Sequence, residues 1–131
     1  MSQENVEIIR RAFEAYERGD IPAMLGAADP DVITYRADPA PETYRGPEGF
    51  LQAFADWIED FAEFVATAEE FLDVNDSQIM VRVHQRAVGA ASGAPIEADF
   101  WFVWTLRDLK VARLDMYARK ADALQAVGLS E

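Results

Sequence analysis

The sequence predicts a single α+β domain over residues 1–131, a curved antiparallel sheet packed against N-terminal and central helices. Two amphipathic helical stripes precede a run of four β-type segments. One alternate set of residues along those segments is almost wholly apolar, so one face of the sheet must be covered. A chain of 131 residues supplies one good core and is too short for two.

From Asn5 to Arg18 the residues Val6, Ile9, Phe13 and Tyr16 recur at steps of a helical stripe, which Gly19 and Asp20 end. Asp20 then reads as the N-cap of a shorter helix over Ile21 to Ala27, with Pro22 at a position that needs no N–H. Asp29-Pro30-Asp31 breaks the chain before a brief strand from Val32 to Tyr35, and Ala37 to Arg45 is a Pro-rich loop. After Gly46-Pro47 the stripe Phe50, Phe54, Trp57 and Phe61, flanked by Leu51 and Ile58, predicts the long central helix. Strands follow over Phe64–Val74, Gln78–Val88, Ile96–Arg107 and Lys110–Ala118, with Gly89 and Gly93 in the turn between the second and third of them. A last helix over about Ala121 to Val127 stops at Gly128.

Strand alternation divides the sheet into two faces. Val81, Val83, Ala98, Phe100, Phe102, Trp104, Leu114, Met116 and Ala118 form an apolar set, expected to face the helices. Arg82, His84, Arg86, Glu97, Asp99, Trp101, Arg113, Asp115 and Tyr117 form the opposite set. Pairing Arg86 with Glu97 and His84 with Asp99 brings opposite charges together on one face and Val to Phe on the other; a one-residue slip mixes the sets. Trp101 and Tyr117 among charges suit a subunit interface, so the expected partner is a second copy bound through this outer sheet face.

Twenty-four acids against twelve bases give a net charge of −12, which repels a phosphate backbone and argues against nucleic acid as a partner. No stretch reaches the ~18 apolar residues of a membrane span, and the polar start MSQENVEIIRR is no secretory leader, so the expectation is a cytoplasmic protein without a membrane partner. Without cysteine there is no disulfide, thiolate nucleophile or sulfur-bound metal, and a single histidine leaves no multi-histidine metal site. No metal and no cofactor are therefore expected; the sequence also lacks a P-loop, a dinucleotide fingerprint and a serine-hydrolase elbow.

The residues that remain with chemistry are few. His84 beside Asp99 is a carboxylate-imidazole pair suited to a general base, or equally a cross-strand ion pair; Asp115 extends the cluster or pairs with Arg113 or Arg82. Arg36, at the start of the Pro-rich loop, is suited to hold a carboxylate or enolate oxygen if it turns inward, and is otherwise a solvated loop residue. Tyr16, Tyr35 and Trp57 either serve the core or carry polar tips suited to orient a ligand in an apolar pocket walled by Phe100, Phe102, Trp104, Leu114 and Met116.

Several strings then make the chain resemble the SnoaL-like branch of the NTF2-like superfamily, which includes ketosteroid isomerases, polyketide cyclases and limonene epoxide hydrolases. They are Glu17-Arg18-Gly19-Asp20, Asp29-Pro30-Asp31-Val32, Tyr44-Arg45-Gly46-Pro47, Ser92-Gly93, Val103-Trp104-Thr105-Leu106-Arg107-Asp108, Tyr117, Ala123-Leu124 and Val127-Gly128-Leu129. The resemblance implies an NTF2-like cone with a pocket between sheet and helices. It places the isomerases' aspartate at Arg36, their helix-borne tyrosine at Ala12 and their second aspartate at Phe102. The cyclases' acid also falls at Phe102 and their histidine near Leu114, and the epoxide hydrolases' aspartate falls at Met116. Where relatives read Asp-Gly-Lys before the last strand, this chain reads Asp108-Leu109-Lys110, which requires another turn type or a strained one.

Three functions remain in view. The first is a module binding a small apolar or amphipathic metabolite. The second is an isomerase, cyclase or hydratase acting by general acid-base chemistry, with His84, Asp99 or Asp115 as base. The third is a non-catalytic dimer.

Overall fold

The computed structural model describes residues 2–129; Met1, Ser130 and Glu131 of the expected domain lie outside the described residues. Its elements are α1 (Ser2–Glu17), α2 (Ile21–Leu25), β1 (Ala28–Arg36), β2 (Glu42–Arg45), α3 (Gly46–Ile58), β3 (Phe61–Asp73), β4 (Gln78–Gly89), β5 (Pro95–Arg107), β6 (Lys110–Tyr117) and α4 (Lys120–Ala126). The strands form one sheet in the order β2-β1-β6-β5-β4-β3. All neighbours are antiparallel except β1 and β6, which run parallel, so the sheet is mixed rather than purely antiparallel.

The central hairpin has the register that charge and hydrophobicity dictate: Arg86 faces Glu97, His84 faces Asp99 and Val81 faces Phe102. On the inner face Ile79, Val81, Val83, Phe102, Trp104 and Leu114 are buried beneath Ile9 and Ala15 of α1 and Phe50 of α3. Asp20 accepts from the Ala23 amide at 3.2 Å and so caps α2 as expected. The Asn5 side chain, itself buried, donates to the Asp76 carbonyl at 2.9 Å and ties α1 to the β3–β4 turn.

Three departures from the sequence reading have physical causes. Phe61 belongs to β3, not to the central helix; α3 ends at Ile58, and the Phe61 ring stacks on Phe64 at 5.8 Å. The Pro-rich loop contains β2, because Glu42–Arg45 finds the edge of β1 to pair with. The outer face is not open throughout. Helix α4 lays Ala123 and Leu124 over Met80 and Val103, with Trp101 and Tyr117 packed at the margin of this second core and Asp115 buried on the same face. The turn before β6 is strained, one of the two outcomes expected there: Asp108 and Leu109 have φ of 51° and 64°, both in the left-handed region that leucine disfavours.

Strand β3 lies at one border of the sheet, and its pairing to β4 is interrupted by bulges between Phe61 and Glu63 and between Ala68 and Glu70. Among the described residues no helix is long and apolar enough to cross a membrane.

Candidate functional site

A cavity of about 60 Å³ opens between the inner face and the helices. Its apolar wall comes from Ala12 and Phe13 of α1, Met24 of α2, Phe50, Ala53 and Phe54 of α3, and Phe64, Ala66, Val83, Phe100, Phe102, Trp104 and Met116 of the sheet. Such a wall follows from period: every second strand residue meets every third or fourth helix residue in one enclosed space. The polar groups that border it are few: Tyr16, Arg36, Asp38, Trp57, Gln85 and Tyr117.

Arg36 ends β1 and borders this space. Its Nη1 donates to the Tyr44 hydroxyl at 3.3 Å, and that hydroxyl donates to Asp56 Oδ2 at 2.7 Å. Gln52 Nε2 donates to the other Asp56 oxygen at 2.6 Å. The Tyr44 and Gln52 hydrogen bonds hold the Asp56 carboxyl below its ordinary range, against a smaller effect of burial. Arg36 Nε is buried and has no acceptor among the described residues. Two glycines make this corner possible. Gly46 takes φ +74° where β2 turns into α3, and a Cβ at Gly49 would lie 3.0 Å from the Tyr44 backbone, so any larger residue would push α3 back from β2 by a few tenths of an ångström.

Elsewhere in the cavity wall the Trp57 indole donates to Gln85 Oε1 at 2.8 Å. That bond fixes the Gln85 amide, because an indole N–H needs an acceptor. Burial raises the Tyr16 hydroxyl above its ordinary pKa, leaving a neutral phenol at the wall.

Of the residues singled out in the sequence, Tyr16, Arg36, Trp57, Phe100, Phe102, Trp104 and Met116 border the cavity. Tyr35 and Leu114 depart from the expected lining. Tyr35 falls on the other side of β1 from Arg36, with the Arg113 guanidinium 6.0 Å from its ring centre, and Leu114 is sealed inside the core at 0% exposure.

His84, Asp99 and Asp115 are also outside the cavity lining. His84 Nδ1 lies 2.7 Å from Asp99 Oδ1 and Nε2 lies 2.9 Å from Glu97 Oε1, while Arg82 meets Asp99 at 3.5 Å. The Asp99 hydrogen bond, helped by Glu97, raises the imidazole pKa against a lesser opposing effect of desolvation. Asp115 accepts twice from Arg113 Nε, at 2.9 and 3.0 Å, yet burial outweighs the arginine and raises its carboxyl pKa.

Sequence reasoning missed Asp38 and Gln85 at the cavity, and Tyr44 and Asp56 behind Arg36. Of these, Asp38 has the most chemistry. It stands in the loop after β1, borders the cavity, and accepts from the Ala118 amide through Oδ2 at 3.2 Å. Its other oxygen makes no hydrogen bond among the described residues. The sequence signal was an acid immediately before Pro39, at the entrance to the Pro-rich loop. Among the described residues no group of three or more His, Cys, Asp or Glu side chains is arranged to hold a metal ion.

Residues 9–114 match the family model described as SnoaL-like domain. Among curated proteins the chain has no match. Solved structures share the fold. An NTF2-like protein of unknown function from Burkholderia pseudomallei has 21% identity and TM-score 0.77, the alignment covering 95% of this chain and 98% of that one. TerC, crystallised with polyporic acid, has 19% identity and TM-score 0.75, covering 95% and 98% of the two chains. A protein of ketosteroid isomerase-like fold from Catenulispora acidiphila, in complex with trimethylamine, has 13% identity and TM-score 0.72, covering 94% and 93%.

Proposed function

The chain belongs to the SnoaL-like domain family, and from that premise we propose that it binds one small, mostly apolar molecule in the cavity, with an acidic or carbonyl oxygen held at Arg36. The observation that carries this reading is a wall of aromatic and aliphatic side chains interrupted by a guanidinium whose buried Nε lacks an acceptor. A net charge of −12 gives anions no general attraction to the surface, so an acid that binds here depends on this local cation. Two structural neighbours, one co-crystallised with polyporic acid and one in complex with trimethylamine, support a ligand of modest size.

Calorimetry with 2-naphthoate tests it. Binding to the wild-type chain, weakened about tenfold or more in Arg36→Met, is the expected result, since hydrogen bonds to a charged group contribute about 1.5–3 kcal/mol. Equal affinity in the two proteins would remove Arg36 from the reading.

Asp38 supports a second reading, proton transfer next to a carbonyl. A carboxylate with one free oxygen, at the border of an apolar space shared with Arg36, has the parts of a base and an enolate stabiliser. His84, Asp99 and Asp115, the bases expected from sequence, do not border that space. Deuterium exchange at the α-carbon of 2-tetralone, followed by NMR, should be accelerated by the wild-type chain and not by Asp38→Asn. No acceleration by the wild-type chain leaves binding as the function.

For the partner, we propose a second copy of the chain against the part of the outer face that α4 leaves uncovered, around His84, Glu97 and Asp99. Light scattering reads the mass directly, and a monomer at high protein concentration would refute it.

A further inference from the structure

Trp104 is 4% exposed, borders the cavity, and carries an indole N–H with no acceptor among the described residues. An unpaired donor buried away from water costs about 1–3 kcal/mol and is rare in native interiors. The neighbouring tryptophan in the wall shows the usual outcome, since Trp57 meets Gln85 at 2.8 Å.

Trp104 is not free to swing toward a partner. Phe13 meets its ring edge-on at a centroid distance of 5.8 Å, and Phe50 and Phe102 tilt against it at 6.3 and 6.4 Å. The buried Thr34 hydroxyl is also unpaired, but it stands two strands away across Leu114, about 10 Å between backbones at ordinary strand spacing.

Building on the binding function proposed above, we propose that the Trp104 N–H is a specificity-determining donor, and that the ligand carries a second, neutral acceptor oxygen remote from the group held at Arg36. Both Trp104 Nε1 and the Arg36 guanidinium donate and cannot accept, so the two positions read acceptor oxygens and disfavour groups that can only donate or make no hydrogen bond. Arg36 and Trp104 lie two strands and two residues apart, about 12 Å between backbones. A flat ring system with a carboxylate or enolate at one end and a ketone or ether oxygen at the other meets both. Apolar side chains between them leave the middle of the ligand unread except by shape.

The test pairs 6-acetyl-2-naphthoate with 6-isopropenyl-2-naphthoate, equal in shape and differing by one acceptor. Wild-type protein should prefer the ketone by roughly fivefold, as one net hydrogen bond predicts. The Trp104 indole proton, identified by its loss in Trp104→Phe, should move downfield with the ketone alone. Trp104→Phe should bind both compounds equally, and Arg36→Met should weaken both by the same factor. Equal affinities in the wild-type chain with an unmoved indole proton overturn the proposal while leaving the pocket reading intact. Failure of both naphthoates to bind overturns the two together. If Trp104→Phe does not fold, wild-type affinities and an indole proton assigned by through-bond NMR decide the matter alone.

Discussion

Trp57 and Gln85 are joined by a 2.8 Å hydrogen bond that pins the end of α3 to the inner face of β4. Gln85 is 8% exposed, so its amide is kept in the interior by this bond. Gln85→Leu should cost about 1–3 kcal/mol in urea unfolding, because the indole N–H loses its acceptor. Trp57→Phe on the Gln85→Leu background should cost less than Trp57→Phe alone, a coupling that a double-mutant cycle measures.

Tyr44 stands between Arg36 and Asp56, donating to the carboxylate and accepting from the guanidinium. It acts as a positioning residue for the cation that borders the cavity. Tyr44→Phe should weaken 2-naphthoate binding by several fold while leaving the weak binding of neutral naphthalene unchanged, as read by calorimetry.

His84 is the one histidine of the chain, so its ring protons give an unambiguous NMR titration. Asp99 and, to a lesser extent, Glu97 favour the imidazolium, and its midpoint should lie above the ordinary value. Because the folded pKa is raised, the stabilisation is present in full below the unfolded pKa and is lost as pH rises through the folded one. Asp99→Asn should bring the midpoint down.

Asp115 also has a raised pKa, for the different reason that its carboxyl is buried. The sign for stability is the same: protonated, it costs nothing extra, and ionising it in the fold works against the native state as pH rises through its folded pKa. The stability of the wild type minus that of Asp115→Asn should therefore fall with rising pH across the acid range, as urea unfolding at successive pH values will show.

Leu109 occupies φ 64° and is half exposed at 52%, so it is strained without a packing contribution to offset the strain. Leu109→Gly should stabilise the chain by about 1 kcal/mol, the order of the left-handed penalty. A raised urea midpoint with unchanged slope is the expected readout.

The β4–β5 register was legible in the sequence because charge and hydrophobicity agree on it: His84 can face Asp99 only if Val83 faces Phe100. The aromatic stripe from Phe50 to Trp57 was legible for the same kind of reason, though it ran on to Phe61, which fits the helical spacing but begins a strand. What was hidden depends on contacts between distant segments. Four residues, Glu42–Arg45, form a strand only because β1 offers an edge. Asp38 reaches the cavity only because the Ala118 amide at the end of β6 holds it there. Met80 and Val103 become a second core only when α4 folds over them, and nothing local to those residues announces it.

The two interruptions in β3 bear on how the protein behaves when crowded. Thirteen residues of strand leave a long row of backbone donors and acceptors open along one side, a template onto which another extended chain could add. The irregular spacing, with Glu63, Glu69, Glu70 and Asp73 bristling from the same rim, denies that chain a straight and neutral seam. Concentrated solutions should thus stay clear, where a regular, uncharged rim would seed fibres.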